Sequence, residues 1–194
     1  MKKLVVILYV FILFSSCEKT KSQIENDEIN NIVEAIINQD SLKIDDVLFC
    51  NELKKTTIEI PFETKDGLQF PPIPGNIYIS TLLNNKVKGK PFFTSKDSLF
   101  ILSQNSDTKK IKIGNKILQK LNSTTFEKEL MKKEKGIPYK FYEMSIPLFS
   151  KDKQKAYVQL DYSCGSLCGH GKAYYLKKVN SKWIIVEKWR NWIS

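Results

Sequence analysis

The sequence predicts an α+β domain in which an N-terminal helix packs on a curved antiparallel sheet that ends in a three-stranded meander. Between Glu28 and Gln39, Ile29, Ile32, Val33, Ile36 and Ile37 recur at the spacing of one helix face. From Tyr139 onward the apolar period falls to two, as in half-buried strands. The last three strands are joined by short connections, and a parallel pairing would need a crossover of about a dozen residues, so they pair antiparallel.

The remaining elements follow in chain order. The helix shows Asn30, Asn31, Glu34 and Asn38 on its polar face and ends at Asp40-Ser41. Val47–Cys50 and Thr56–Ile60 are rich in β-branched residues, so at least the second is a strand, closed by Pro61. Gly67 and the segment from Phe70 to Gly75, with three prolines, form an irregular surface loop. Ile77–Ile79 and Leu82-Leu83 resume apolar structure. Thr94-Ser95-Lys96-Asp97 has the form of a capping box opening a helix from Ser95 to Gln104. Ser106–Lys112 reads as a loop, Ile117–Leu121 and Phe126–Met131 as helical turns, and Lys132–Gly136 as a solvated turn. Phe141, Glu143 and Ser145 then alternate with Tyr142, Met144 and Ile146. Ala156–Asp161, Ala173–Val179 and Trp183–Trp189 are the closing strands.

Met1-Lys2-Lys3 precedes eleven apolar residues, Leu4–Phe14, and then Ser15, Ser16 and Cys17. That run is too short for a bilayer-spanning helix and has the length of a signal core. With small residues before the thiol, the segment resembles a bacterial lipoprotein signal, Phe14 standing where leucine is usual. The resemblance implies a signal peptide over residues 1–16 and acylation of Cys17 by a diacylglycerol thioether and an amide-linked chain. Two or more such chains hold a protein on a membrane. Residues 17–27 read as a flexible tether and residues 28–194 as one globular domain; Glu18 favours the outer over the inner membrane.

At 194 residues the chain suits one domain. Taking the leader lysines from the 31 basic residues leaves 29 against 21 acidic, a balance of +8. Export turns that balance toward anionic headgroups or glycans and away from nucleic acid.

Tyr162-Ser163-Cys164-Gly165-Ser166-Leu167-Cys168-Gly169-His170-Gly171 carries two of the four cysteines and the only histidine. Ser145–Asp152, this cysteine-glycine segment, Lys182-Trp183 and the terminal Trp192-Ile193-Ser194, with Thr94, Asp97 and Gln104 more faintly, resemble a group of small bacterial lipoproteins of unknown function. The resemblance implies an exported α+β domain and lends no catalytic residues.

The loop has several readings. A local disulfide between Cys164 and Cys168 suits an exported protein and shapes the hairpin more than it holds the fold. A zinc or copper(I) site from Cys164, Cys168 and His170 competes, without a visible fourth ligand. A redox pair lacks the C-x-x-C spacing, and two free buried thiols complete the set. Cys50 is read as a buried apolar residue. Tyr157, Tyr162, Tyr174, Tyr175, Trp183, Trp189 and Trp192 are core and cross-strand packing before they are a glycan or peptide groove. Sequence therefore points to a non-catalytic binding or structural lipoprotein of the cell envelope, meeting an envelope protein, peptide or glycan. The alternative is a metal-handling or pocket-based enzyme using Cys164, Cys168 and His170, on an NTF2-like or cystatin-like cone, marked by convergent carboxylates in a deep pocket.

Overall fold

The structure, a computed structural model, describes residues 20–63, 65–68, 70–73, 75–106, 110–165 and 168–194, so the expected signal peptide over residues 1–16 and the expected acylation site Cys17 lie outside the described residues. Helix α1 spans Lys21–Gln39 and begins well before Glu28. Its start is fixed by a capping box: the Thr20 hydroxyl accepts from the Gln23 N–H at 3.2 Å, and the Gln23 side chain accepts from the Thr20 N–H at 2.9 Å. The stretch from Lys21 to Asp27, expected within a flexible tether, is therefore helical.

Strands β1 (Leu48–Cys50), β2 (Glu52–Leu53) and β3 (Ile58–Glu59) follow, then β4 (Ile77–Tyr78), helix α2 (Ile79–Asn84) and strands β5 (Lys86–Val87) and β6 (Lys90–Pro91). A 3-10 turn, Ser95–Asp97, opens α3 (Ser98–Ser103). Next come β7 (Ile111–Lys112), α4 (Asn115–Leu118), β8 (Ser123–Thr124) and α5 (Phe126–Glu134). Strands β9 (Phe141–Met144), β10 (Leu148–Phe149), β11 (Lys155–Ser163), β12 (Gly169–Val179) and β13 (Lys182–Ile193) close the chain.

The main sheet has the order β13-β12-β11-β9-β1-β8, with β10 beside β11, and β11-β12-β13 form the expected antiparallel meander. The far side differs, because β1 runs parallel to both β8 and β9. The intervening chain supplies the long crossovers that parallel pairs need. Ile111–Lys112, expected in a loop, pairs antiparallel with β2. Where a solvated turn was expected at Lys132, α5 continues to Glu134, and the Lys132 ammonium reaches both oxygens of the fully buried Glu129 at 2.9 Å.

Each face of the sheet is covered. Ile32, Val33 and Ile36 of α1 pack against Phe49, Met144, Val158, Tyr174 and Leu176. On the opposite face Tyr157, Ala173 and Tyr175 meet Ile58, Leu82, Phe92, Phe93 and Ile101. Full burial of each large apolar side chain contributes about 1.5–3 kcal/mol.

Polar residues fasten the helix to the sheet. The Gln39 amide donates to the Trp183 carbonyl at 2.8 Å and accepts from the Ile185 N–H at 2.9 Å, which covers part of the β13 edge. Asp40 takes Lys172 and the Tyr174 hydroxyl, each at 2.7 Å, together with Lys188. Burial alone would raise the Asp40 carboxyl, but these donors outweigh it and hold it below its ordinary value.

Asp97, Gln104 and Ser145 act here as clamps. Asp97 closes the capping box on Thr94 and accepts from the Lys151 N–H at 3.0 Å. The Gln104 amide pairs with both backbone groups of Phe149. Ser145 accepts from the Gln159 N–H at 2.8 Å.

Candidate functional site

The cysteine segment closes the β11–β12 hairpin, as expected, although Gly169, His170 and Gly171 belong to β12 and pair with Ser163, Tyr162 and Asp161. Cys164 and Cys168 lie at disulfide distance with Cα atoms 5.0 Å apart, and the Cys164 N–H donates to the Cys168 carbonyl. Gly165 has φ of +105°, a conformation open to glycine and costly for other residues. Ser166 and Leu167 lie outside the described residues.

Of the three residues of the zinc or copper(I) reading, Cys164 and Cys168 are paired with one another, and His170 lies on β12 beyond them. The two thiols face one another, and among the described residues no group of three His, Cys, Asp or Glu side chains is placed to hold a metal. Neighbouring strand residues project to opposite faces. His170 packs against Tyr162 with the rings tilted and their centres 5.3 Å apart, while Asp161 and Gly171 face the other way. Burial, then Lys172 and Arg190, push the imidazole below its ordinary pKa. Cys50 is the buried residue expected, its thiol pushed up to about 12 by burial and by nearby carboxylates, Glu143 first.

The face that carries Asp161 holds the site. Gly171 and Gly169 leave room for the Trp192 indole to lie flat on β12: a Cβ on Gly171 would fall 2.0 Å from Trp192 Nε1, and one on Gly169 would fall 3.0 Å from its ring. The indole N–H donates to Asp161 Oδ1 at 2.7 Å. Asp161 Oδ2 is bound by Lys54, whose ammonium also lies 3.6 Å from Glu143. Glu143 pairs directly with Asp161 across β9 and β11. Burial pushes the Glu143 carboxyl up; Lys54 opposes the shift and the Asp161 charge adds to it.

Lys54, Asp161 and Trp192 line one wall of a groove of about 710 Å³, with Tyr157, Gln159, Trp189 and Asn191, and Glu143 stands behind Lys54 and Asp161. Its other wall is made by Pro71, Pro72, Ile73, Gly75, Asn76 and Ile77. The aromatic residues thus divide. Tyr157, Tyr174, Tyr175 and Trp183 are core as expected, while Trp189 and Trp192 join the Tyr157 edge at the groove. Large apolar side chains nearby in the sequence stand open to solvent, with Phe62 74%, Phe70 62% and Ile73 67% exposed.

Sequence reasoning did not find Lys54, Glu143 or Asp161. One signal was present: Asp161 continues the alternation of Tyr157 and Gln159, which puts a carboxylate on a covered face of a strand. Among the described residues no helix is long and apolar enough to cross a membrane. No protein-family model, no curated protein and no solved structure matches the chain.

Proposed function

We propose that this chain is a lipid-anchored protein of the bacterial cell envelope whose folded domain binds a hydroxyl-rich glycan in the groove, without chemistry. The observation that carries this reading is the Trp192 platform, an indole laid over two glycines, tied to Asp161 and 37% exposed. A sugar ring stacks its C–H face on such an aromatic surface. Asp161, Gln159, Asn191 and Lys54 supply the acceptors and donors that hydroxyl and acetamido groups need. Acylation at Cys17 holds the groove beside the envelope glycans, and the balance of +8 suits anionic neighbours.

The test uses the full chain in detergent micelles, titrated with β-linked N-acetylhexosamine oligosaccharides and followed by tryptophan fluorescence. Saturable binding is expected, weakened about tenfold or more by Trp192→Ala, a change of roughly 1.4 kcal/mol. His170→Ala, on the opposite face, leaves it unchanged. Equal affinity in Trp192→Ala removes the platform reading. A second reading, an enzyme acting on the same glycan, is favoured by the raised Glu143 carboxyl beside Asp161 and Lys54. It expects product to accumulate in the titration and Glu143→Gln to abolish it.

A further inference from the structure

A second cavity, of about 690 Å³, opens against the first turns of α1 and lies apart from the glycan groove. We infer that it takes an anionic phospholipid of the bilayer on which the domain sits. The inference rests on the lipid anchor at Cys17.

Position comes first. Ser22, Glu25, Asn26 and Ile29, all on α1, line the cavity, and three peptide links separate Cys17 from Thr20. Three residues span at most about 11 Å, so an acylated Cys17 brings this end of the domain to the headgroup layer. The ten-residue reach of a flexible tether is not available, because α1 already begins at Lys21.

Chemistry comes second. Ile29, Ile111, Ile146 and Phe149 give the cavity an apolar floor, and Lys55, Lys110 and Lys112 stand around it. Lys110 and Lys112 share Glu52 at 3.4 and 3.7 Å, Lys110 also meets Glu127 at 3.4 Å, and Glu25 meets Lys153 at 3.3 Å. The two lysines are more than 70% exposed in their side chains, so these pairs are weak and can reorganise toward a phosphate. Lys55 bonds the Asn105 carbonyl, and the first turn of α1 holds no acidic residue, so the positive end of the helix adds to these lysines.

A third observation is independent of charge. Thr56 lines the cavity, is 3% exposed, and its hydroxyl has no hydrogen-bond partner among the described residues. A buried hydroxyl without a partner costs free energy unless a ligand satisfies it. The oxygen itself has almost no exposed surface, so a turn of the Thr56 side chain brings it to a glycerol or phosphate oxygen that enters with an acyl chain on the apolar floor.

The test reconstitutes the full chain in phosphatidylcholine vesicles containing a trace of photo-reactive lipid, diazirine on the acyl chain, with either a phosphatidylglycerol or a phosphatidylcholine head. Peptide mapping is expected to place cross-links at Ile29, Ile111, Ile146 or Phe149, about fivefold more from the anionic probe. Ile146→Trp fills the cavity and abolishes them. Lys110→Glu with Lys112→Glu, a surface change that spares the core, brings the two probes to equal yield. Inorganic phosphate at millimolar concentration leaves the cross-links in place; their loss would assign the site to a free anion and overturn the inference. Equal labelling by both probes, or labelling only outside the cavity, overturns it as well. The mass of the N-terminal peptide separates the two failures. A Cys17 without lipid removes the anchor and the inference together, whereas an acylated Cys17 with no cavity cross-link removes the inference alone.

Discussion

Replacing Gly171 with alanine tests the groove at the point where backbone and indole meet. The added Cβ would stand 2.0 Å from Trp192 Nε1, 2.3 Å from Cδ1 and 2.4 Å from the Asn191 side-chain oxygen. Ordinary contact begins near 3.4 Å, so the indole must lift by more than an ångström, which breaks its 2.7 Å bond to Asp161. A hydrogen bond to a charged group contributes about 1.5–3 kcal/mol, and the partial exposure of Trp192 places this one at the lower end. Against that, alanine in a strand gains about 0.5–1 kcal/mol over glycine. The balance is a loss of about 1 kcal/mol, read as a lower urea midpoint at unchanged slope. In a background with both Trp192→Ala and Asn191→Ala the same substitution becomes neutral or stabilising, because only the strand preference remains. A Gly171→Ala protein as stable as the parent, with unshifted tryptophan emission, would refute the reasoning.

Asp97 carries three hydrogen bonds in a nearly buried site, and Asp97→Ala is expected to cost about 1–3 kcal/mol in chemical denaturation. Burial pushes its carboxyl up, but the Thr94 and Lys151 donors outweigh this and hold it below 3.8. Its contribution is therefore present above that unfolded value and is lost as pH falls through the lower folded one, a dependence that Asp97→Asn abolishes. Glu143 runs the other way: its folded carboxyl is raised above 4.5, so stability is highest below that value and falls as pH rises toward the folded one. Glu143→Gln should flatten this fall, seen as a smaller loss of melting temperature between pH 4 and pH 7. Reducing Cys164–Cys168, or Cys164→Ser, is expected to lower stability by about 2 kcal/mol or less, since the closed loop is short, and to leave the circular dichroism spectrum native.

The elements that the sequence makes legible are those whose signal is local and periodic. The buried stripe of α1 and the alternation of β11 are readable because each residue's face follows from its own position. The first turns of α1 were hidden by a polar run from Lys21 to Asp27, although Thr20 and Gln23 held the capping-box spacing in plain view. β7 has two residues and exists only through its pairing with Glu52–Leu53, which no local pattern encodes. The groove was least legible. Lys54, Asp161 and Trp192 come from three separate segments, and the register of β11, β12 and β13 brings the last two together. Trp192 could be named as an aromatic of the last strand, but its orientation depends on the absence of side chains at Gly169 and Gly171, a close approach visible only in three dimensions.

The most direct test of the glycan groove follows one proton. With indole-labelled tryptophan in the full chain, the Nε1–H resonance of Trp192, assigned by Trp192→Phe, is monitored while N-acetylhexosamine oligosaccharides are added. That resonance is expected to shift and saturate while the buried Trp183 indole, bonded to Glu28 at 2.9 Å, stays in place. A Trp192 signal unmoved at saturating oligosaccharide, with or without movement of Trp183, contradicts that expectation.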